Sequence, residues 1–102
     1  MEQDLDRLLH NTAALILINI WEDDCEASLH MKELMEAFEH YATALVLRLS
    51  LTEYREWAQA HGIHGTPALV AYQQGRPLFR ILGRVTPAEL LQRIRQCGIE
   101  DL

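Results

Sequence analysis

Residues Ala13 to Ile20 read Ala-Ala-Leu-Ile-Leu-Ile-Asn-Ile, apolar at every position but Asn19. A strand with one face in water alternates apolar and polar side chains, whereas a strand covered on both faces does not. The run is therefore read as a central, fully buried strand, and a chain built around it must supply cover for each of its faces. It is far too short to cross a bilayer. The acidic start Met1-Glu2-Gln3-Asp4 also lacks the basic character of a signal peptide, so a cytoplasmic protein with no membrane association is expected.

Helical periodicity supplies the cover. Leu5, Leu8 and Leu9 share one face of a short N-terminal helix. Met31, Leu34, Met35, Phe38 and Ala42 recur at helical spacing, with Lys32, Glu33, Glu36 and Glu39 on the other side, and Asp23 or Asp24 is placed to cap this second helix. Ala44 to Leu49 is a second buried-strand run. Ser50-Leu51-Thr52-Glu53 has the capping-box pattern for a third helix through Tyr54, Trp57 and Ala58, ending near His61-Gly62. A β-α-β unit with a right-handed crossover follows from this order. Ala68 to Tyr72 and Leu78 to Leu82 read as an antiparallel pair joined by Gln73-Gln74-Gly75-Arg76. Thr86-Pro87-Ala88-Glu89 opens a last helix with an N-cap, a proline at its first position and a capping-box glutamate. Leu90, Leu91, Ile94 and Cys97 face inward, and Gly98 is the stop. The predicted string α-β-α-β-α-β-β-α is an α/β sandwich on a mixed sheet.

At 102 residues and 49% hydrophobic, with no linker, repeat or low-complexity block, the chain is expected to form one domain over residues 1–102. Nine basic against fifteen acidic side chains leave a net charge of −6, which opposes binding to nucleic acid or anionic lipid. The two cysteines have no metal-ligand spacing, and no cofactor or metal is expected.

Cys25 stands in Trp21-Glu22-Asp23-Asp24-Cys25-Glu26-Ala27-Ser28, after the central strand, and the chain later offers Gly62-Ile63-His64-Gly65-Thr66-Pro67, then Ala68 to Tyr72, a glycine hairpin, and Gly83 before the last helix. Found together, these segments resemble the thioredoxin family from about Leu15 to Ile94. The resemblance implies a thioredoxin-like mixed-sheet sandwich, a cis Thr66-Pro67 bond, and a peptide-binding surface made by Trp21, Thr66, Pro67 and Gly83 beside the thiol. It makes Cys25 and Ser28 the catalytic positions, the first as nucleophile and the second as the place where the resolving cysteine is missing. Asn19 falls where the family places a buried acid, and an amide exchanges no proton at neutral pH. Arg48 falls where the family often carries a lysine, there to bond a carbonyl or to snorkel at an edge. The family's first strand has no counterpart, because the twelve residues before Ala13 read as helix and turn. Ala44 to Leu49 then becomes an edge, expected to be closed by a symmetric homodimer or by the N-terminal helix folded over it.

Two readings stay open. In one, the thiolate of Cys25, favoured by a helix N-terminus and opposed by the charges of Glu22, Asp23, Asp24 and Glu26, performs monothiol exchange with client proteins or glutathione. In the other, the fold is a redox-inactive peptide-binding or chaperone module and the thiol is incidental. Whether there is enzymatic turnover as a disulfide oxidoreductase is left open with them. Cys97 reads as core packing, protected from reagents. The resemblance starts its helix at the Cys25 end and carries it about 18 Å away, too far for a bridge between the two thiols. His61 and His64 near the Pro67 turn lack a further soft ligand for a metal; His64 is instead a source of positive charge near the thiol. His10, His30 and His40 read as solvent-facing.

Overall fold

A computed structural model describes residues 2–22, 26–41 and 44–98. Its elements run α1 (Glu2–Asn11), β1 (Ile16–Trp21), α2 (Glu26–Tyr41), β2 (Leu45–Ser50), α3 (Arg55–Ala60), β3 (Ala68–Gln73), β4 (Arg76–Leu82) and α4 (Pro87–Gln96). The four strands form one sheet in the order β2-β1-β3-β4, with β1 and β2 parallel and the β1–β3 and β3–β4 pairs antiparallel. This is the mixed α/β architecture expected from the sequence.

The central run owes its unbroken apolarity to its place. Ile16, Ile18 and Ile20 point into one core layer, where Leu5 and Leu9 of α1 and Trp57 and Ala58 of α3 meet them. Leu15 and Leu17 point into the other, against Met31, Leu34, Met35 and Phe38 of α2 and Leu90 and Ile94 of α4. Each fully buried aliphatic side chain contributes about 1.5–3 kcal/mol, so β1, with four such residues at zero exposure, anchors both layers. Asn19 is its one polar member and is also fully buried.

The two ends of the sheet differ. At the β4 edge, Ala71 faces Phe79 but Tyr72 faces Pro77, so Leu78 is the extra residue of a bulge. Gln74 and Gly75 at the hairpin tip both have positive φ, 52° and 78°, the geometry of a two-residue hairpin turn that follows the twist of its strands. At the other edge, β2 pairs only with β1 among the described residues. Within the strand only Leu49 is buried, and Leu45 is 36% exposed, so the expectation of a buried second strand is corrected: one of its sides has no neighbour to cover it.

Several local expectations also change. Leu8 leaves the apolar face of α1 and is exposed, because Leu5 and Leu9 fill the available core. Helix α1 does not close the β2 edge; the charge of Asp6 acts on Tyr72, and His10 lies against the Gly75 turn, which puts α1 beneath β3 and its hairpin. Ser50-Leu51-Thr52-Glu53 is not a capping box: Ser50 ends β2, its carbonyl accepts from the Tyr54 amide at 3.0 Å, and α3 starts after Tyr54 with no side-chain cap. Cys97 is exposed, not buried, because α4 buries only Leu90 and Ile94 and has ended at Gln96, with Cys97 as its C-cap. The proposed caps Asp23 and Asp24 lie outside the described residues, as do Ala42 and the side chain of His40.

Candidate functional site

The strand directions bring one end of the sheet to a common rim. Ile20 pairs with Ala68, Ala68 with Leu82, and Trp21 with Ser50, so the end of β1, the start of β3 and the end of β4 lie side by side. Thr66-Pro67 precedes β3, and its peptide bond is cis. Gly83 follows β4 with φ of 91°, a conformation that L side chains rarely adopt, and its amide donates to the Pro67 carbonyl at 2.9 Å. Pro67 is buried while Thr66 and Gly83 are half-buried. Thr66, Pro67 and Gly83 are thus neighbours by backbone bonding, and Trp21 stands at the same rim on β1.

Cys25, the proposed nucleophile, lies outside the described residues. Helix α2 begins at Glu26, directly after it in the chain, and Ser28 is in the first turn of that helix with its side chain outside what is described.

Two contacts tie the rim together, and sequence reasoning missed the first. The Thr66 hydroxyl donates to Glu22 Oε1 at 3.0 Å, joining the residue after β1 to the proline turn across 44 positions of chain. Nothing in the local pattern around either residue signals a partner so distant. The second runs through the buried amide. Asn19 Nδ2 donates to the carbonyls of Ala68 and Ile20 at 3.3 and 3.4 Å, and its Oδ1 accepts from Arg48 Nε at 3.3 Å. The Arg48 guanidinium carbon also lies 5.3 Å from the Trp21 ring centroid, a cation–π distance. Arg48 therefore bonds a carbonyl, the side-chain one of Asn19, and lies over Trp21 while remaining exposed at the edge.

His61 and His64 do not converge. The His61 Nδ1–H donates to the Trp57 carbonyl at 2.8 Å and its Nε2 pairs with the Tyr72 hydroxyl at 2.5 Å, so both ring nitrogens are engaged; His64 is exposed. The His61 ring also stacks on Trp57 with centroids 4.0 Å apart. Burial, and after it the charge of Asp6, pushes the Tyr72 phenol above its ordinary value of 10.0.

Comparison with known proteins gives a consistent account of this architecture. The family model for the thioredoxin-like domain matches residues 1–98. Among solved structures, a mutant thioredoxin from Halobacterium salinarum NRC-1 superposes with a TM-score of 0.84 at 20% identity, over 96% of this chain and 86% of that one. A chain in the structure describing the basis of thiol resolving in yeast mitochondrial 1-Cys peroxiredoxin via glutathione/thioredoxin systems gives 0.78 at 17% identity, over 92% and 88%. No curated protein matches significantly. At these identities the structural likeness is one of fold.

Proposed function

From the premise that the chain belongs to the thioredoxin-like domain family, we propose that it acts in thiol–disulfide exchange by a monothiol route through Cys25. The observation that carries the proposal is the rim itself: Gly83 bonded to Pro67, and Thr66 bonded to Glu22, a residue three positions before Cys25 in the sequence. In the reaction the Cys25 thiolate attacks one sulfur of a client or glutathione disulfide. The S–S bond breaks, the departing thiolate takes up a proton, and a mixed disulfide remains on Cys25. Ser28 offers no second thiol, so an outside thiol attacks that bond, regenerates Cys25 and leaves as the new disulfide partner. Glutathione supplies such a thiol in the cytoplasm, which is the compartment this proposal favours. Trp21, Thr66, Pro67 and Gly83 form the surface against which an extended client segment is held.

The alternative, a redox-inactive peptide-binding module, is favoured by one specific observation. The buried amide of Asn19 is engaged with two carbonyls and Arg48, and it exchanges no proton at neutral pH to assist resolution.

The test uses a Cys97→Ser protein, since Cys97 is exposed and would itself react. Exposure to glutathione disulfide should place one glutathione on Cys25 in the folded state, seen by mass spectrometry, and reduced glutathione should remove it. Adding Ser28→Cys should make release intramolecular and faster. If the folded protein never traps a mixed disulfide, and the Ser28→Cys form makes an internal disulfide that reduces no client, exchange fails and the binding module takes its place.

A further inference from the structure

The two edges of the sheet are built differently. Natural edges avoid pairing with other chains through prolines, bulges, outward charges or cover. The β4 edge has such devices: Arg76, Pro77 and Arg80 lie on it, and Leu78 forms its bulge. Among the described residues the β2 edge has no proline, no bulge and no cover. Its six residues keep regular register with β1, and its one charge, the exposed Arg48, bonds back to Asn19 and lies over Trp21 of β1.

The register also says which backbone groups the edge offers. The Leu45 and Leu51 amides donate to Leu15 and Trp21 of the β1 side, each at 2.9 Å. Bonding alternates along a parallel pair, so Leu45, Leu47 and Leu49 face β1 while Val46, Arg48 and Ser50 turn their N–H and C=O groups away from the sheet. Leu45 and Leu47 are at the same time only partly covered.

We infer that β2 is a dimer interface, pairing antiparallel with β2 of a second copy of this chain about a two-fold axis through Leu47. Only outward groups can bond outward groups, which leaves two symmetric registers that overlap most of the strand. One is centred on Arg48 and sets Arg48 directly against Arg48 of the other copy, and like charges directly opposite destabilise a ladder. The other is centred on Leu47. There Val46 exchanges both backbone bonds with Arg48 of the other copy, and Leu45, Leu47 and Leu49 face Leu49, Leu47 and Leu45. This self-matching leucine row selects a second copy as the occupant over an unrelated strand. The result is a continuous eight-stranded sheet with no edge at its centre. Because β1 runs parallel to β2, the two candidate sites open at opposite ends of that sheet, independently of the chemistry proposed for them.

Sedimentation velocity under reductant, which removes disulfide-linked species, gives the test. Wild type should be a concentration-dependent dimer. Leu45→Lys, an exposed change made twice by symmetry, should weaken it by about tenfold or more. Val46→Pro removes an outward N–H that bonds nothing among the described residues and should give a monomer with an unchanged far-ultraviolet spectrum. Hydrogen exchange should show the Val46, Arg48 and Ser50 amides protected at high protein concentration and fast on dilution. A wild-type monomer at every accessible concentration overturns the inference, as does a dimer that both variants leave intact or one in which those three amides stay fast.

Discussion

At the scale of single residues, the surroundings of Asn19 decide what an acid at its position would do. In an Asn19→Asp variant, an ionised carboxylate would turn an oxygen toward the carbonyls of Ala68 and Ile20, where the amide now donates, whereas a protonated one could still donate. Arg48, approaching the other oxygen from an exposed position, favours the ionised form but acts through solvent. With Asn19 fully buried, the carbonyls win, and the introduced acid's folded pKa lies above its unfolded one. Stability is then fully present below the unfolded carboxylate pKa and lost as pH rises. Asn19→Asp should therefore be close to wild type at pH ~4 and destabilised by about 1–3 kcal/mol at pH ~8 in urea titrations. A penalty that is larger at the acid end would show instead that Arg48 holds the carboxylate ionised. Tyr72 titrates in the same sense: its phenol is raised by burial and Asp6, so its contribution is complete below pH 10.0 and falls as pH rises beyond it. Tyr72→Phe should lose about 1 kcal/mol near neutrality with the bond to His61, and its alkaline stability profile should be flatter than that of wild type. Parallel profiles would remove Tyr72 as the group responsible.

Among the elements, α4 is the one whose sequence and structure agree most closely. The Glu89 amide donates to the Thr86 hydroxyl at 3.2 Å, that hydroxyl donates to the Glu89 carboxylate at 2.9 Å, and Pro87 sits at the start of the helix. Thr86→Ala should cost about 1 kcal/mol in chemical denaturation, and Thr86→Ser very little; equal losses for the two would mean the hydroxyl is not the cause. The same local chemistry failed at Ser50-Leu51-Thr52-Glu53, where a capping pattern and a strand end compete for one serine and the strand, with a partner on β1, takes it. Local patterns report what a segment can do, and pairing with a distant strand overrides them. Cys97 shows the same limit in another form: its position continues the apolar stripe of α4, but burial needs something opposite, and the helix has ended one residue earlier. The continuous apolarity of β1 was legible because it records two covered faces at once. The weaker burial of β2 was not, since an edge and a central strand can carry the same leucines.

For the whole molecule, the parallel β1–β2 pair and the antiparallel β3–β4 pair follow from element order, whereas the gathering of Trp21, Thr66, Pro67 and Gly83 at one rim is what the family resemblance implied. The Thr66–Glu22 bond across that rim was not legible, because it depends on the three-dimensional meeting of two loops. It matters for partner choice, since it holds a carboxylate at the rim of a chain whose net charge is already −6. A field of that sign slows the approach of anions and speeds that of cations, over a range set by a Debye length of about 8–10 Å at ordinary salt. Glutathione disulfide is an anion and cystamine a dication, while both present an unstrained aliphatic disulfide to the thiolate. In Cys97→Ser protein at low ionic strength, Cys25 should therefore form its mixed disulfide faster with cystamine than with glutathione disulfide. The ratio of the two rates should fall toward its intrinsic value as salt is added, because screening removes steering and leaves the chemistry of the S–S bond alone. Glu22→Gln should lower the ratio at low salt and leave it unchanged at high salt, which separates the held carboxylate from the net charge of the rest. A ratio indifferent to both salt and Glu22→Gln would show that charge does not select the partner, and that contacts along the rim must do so.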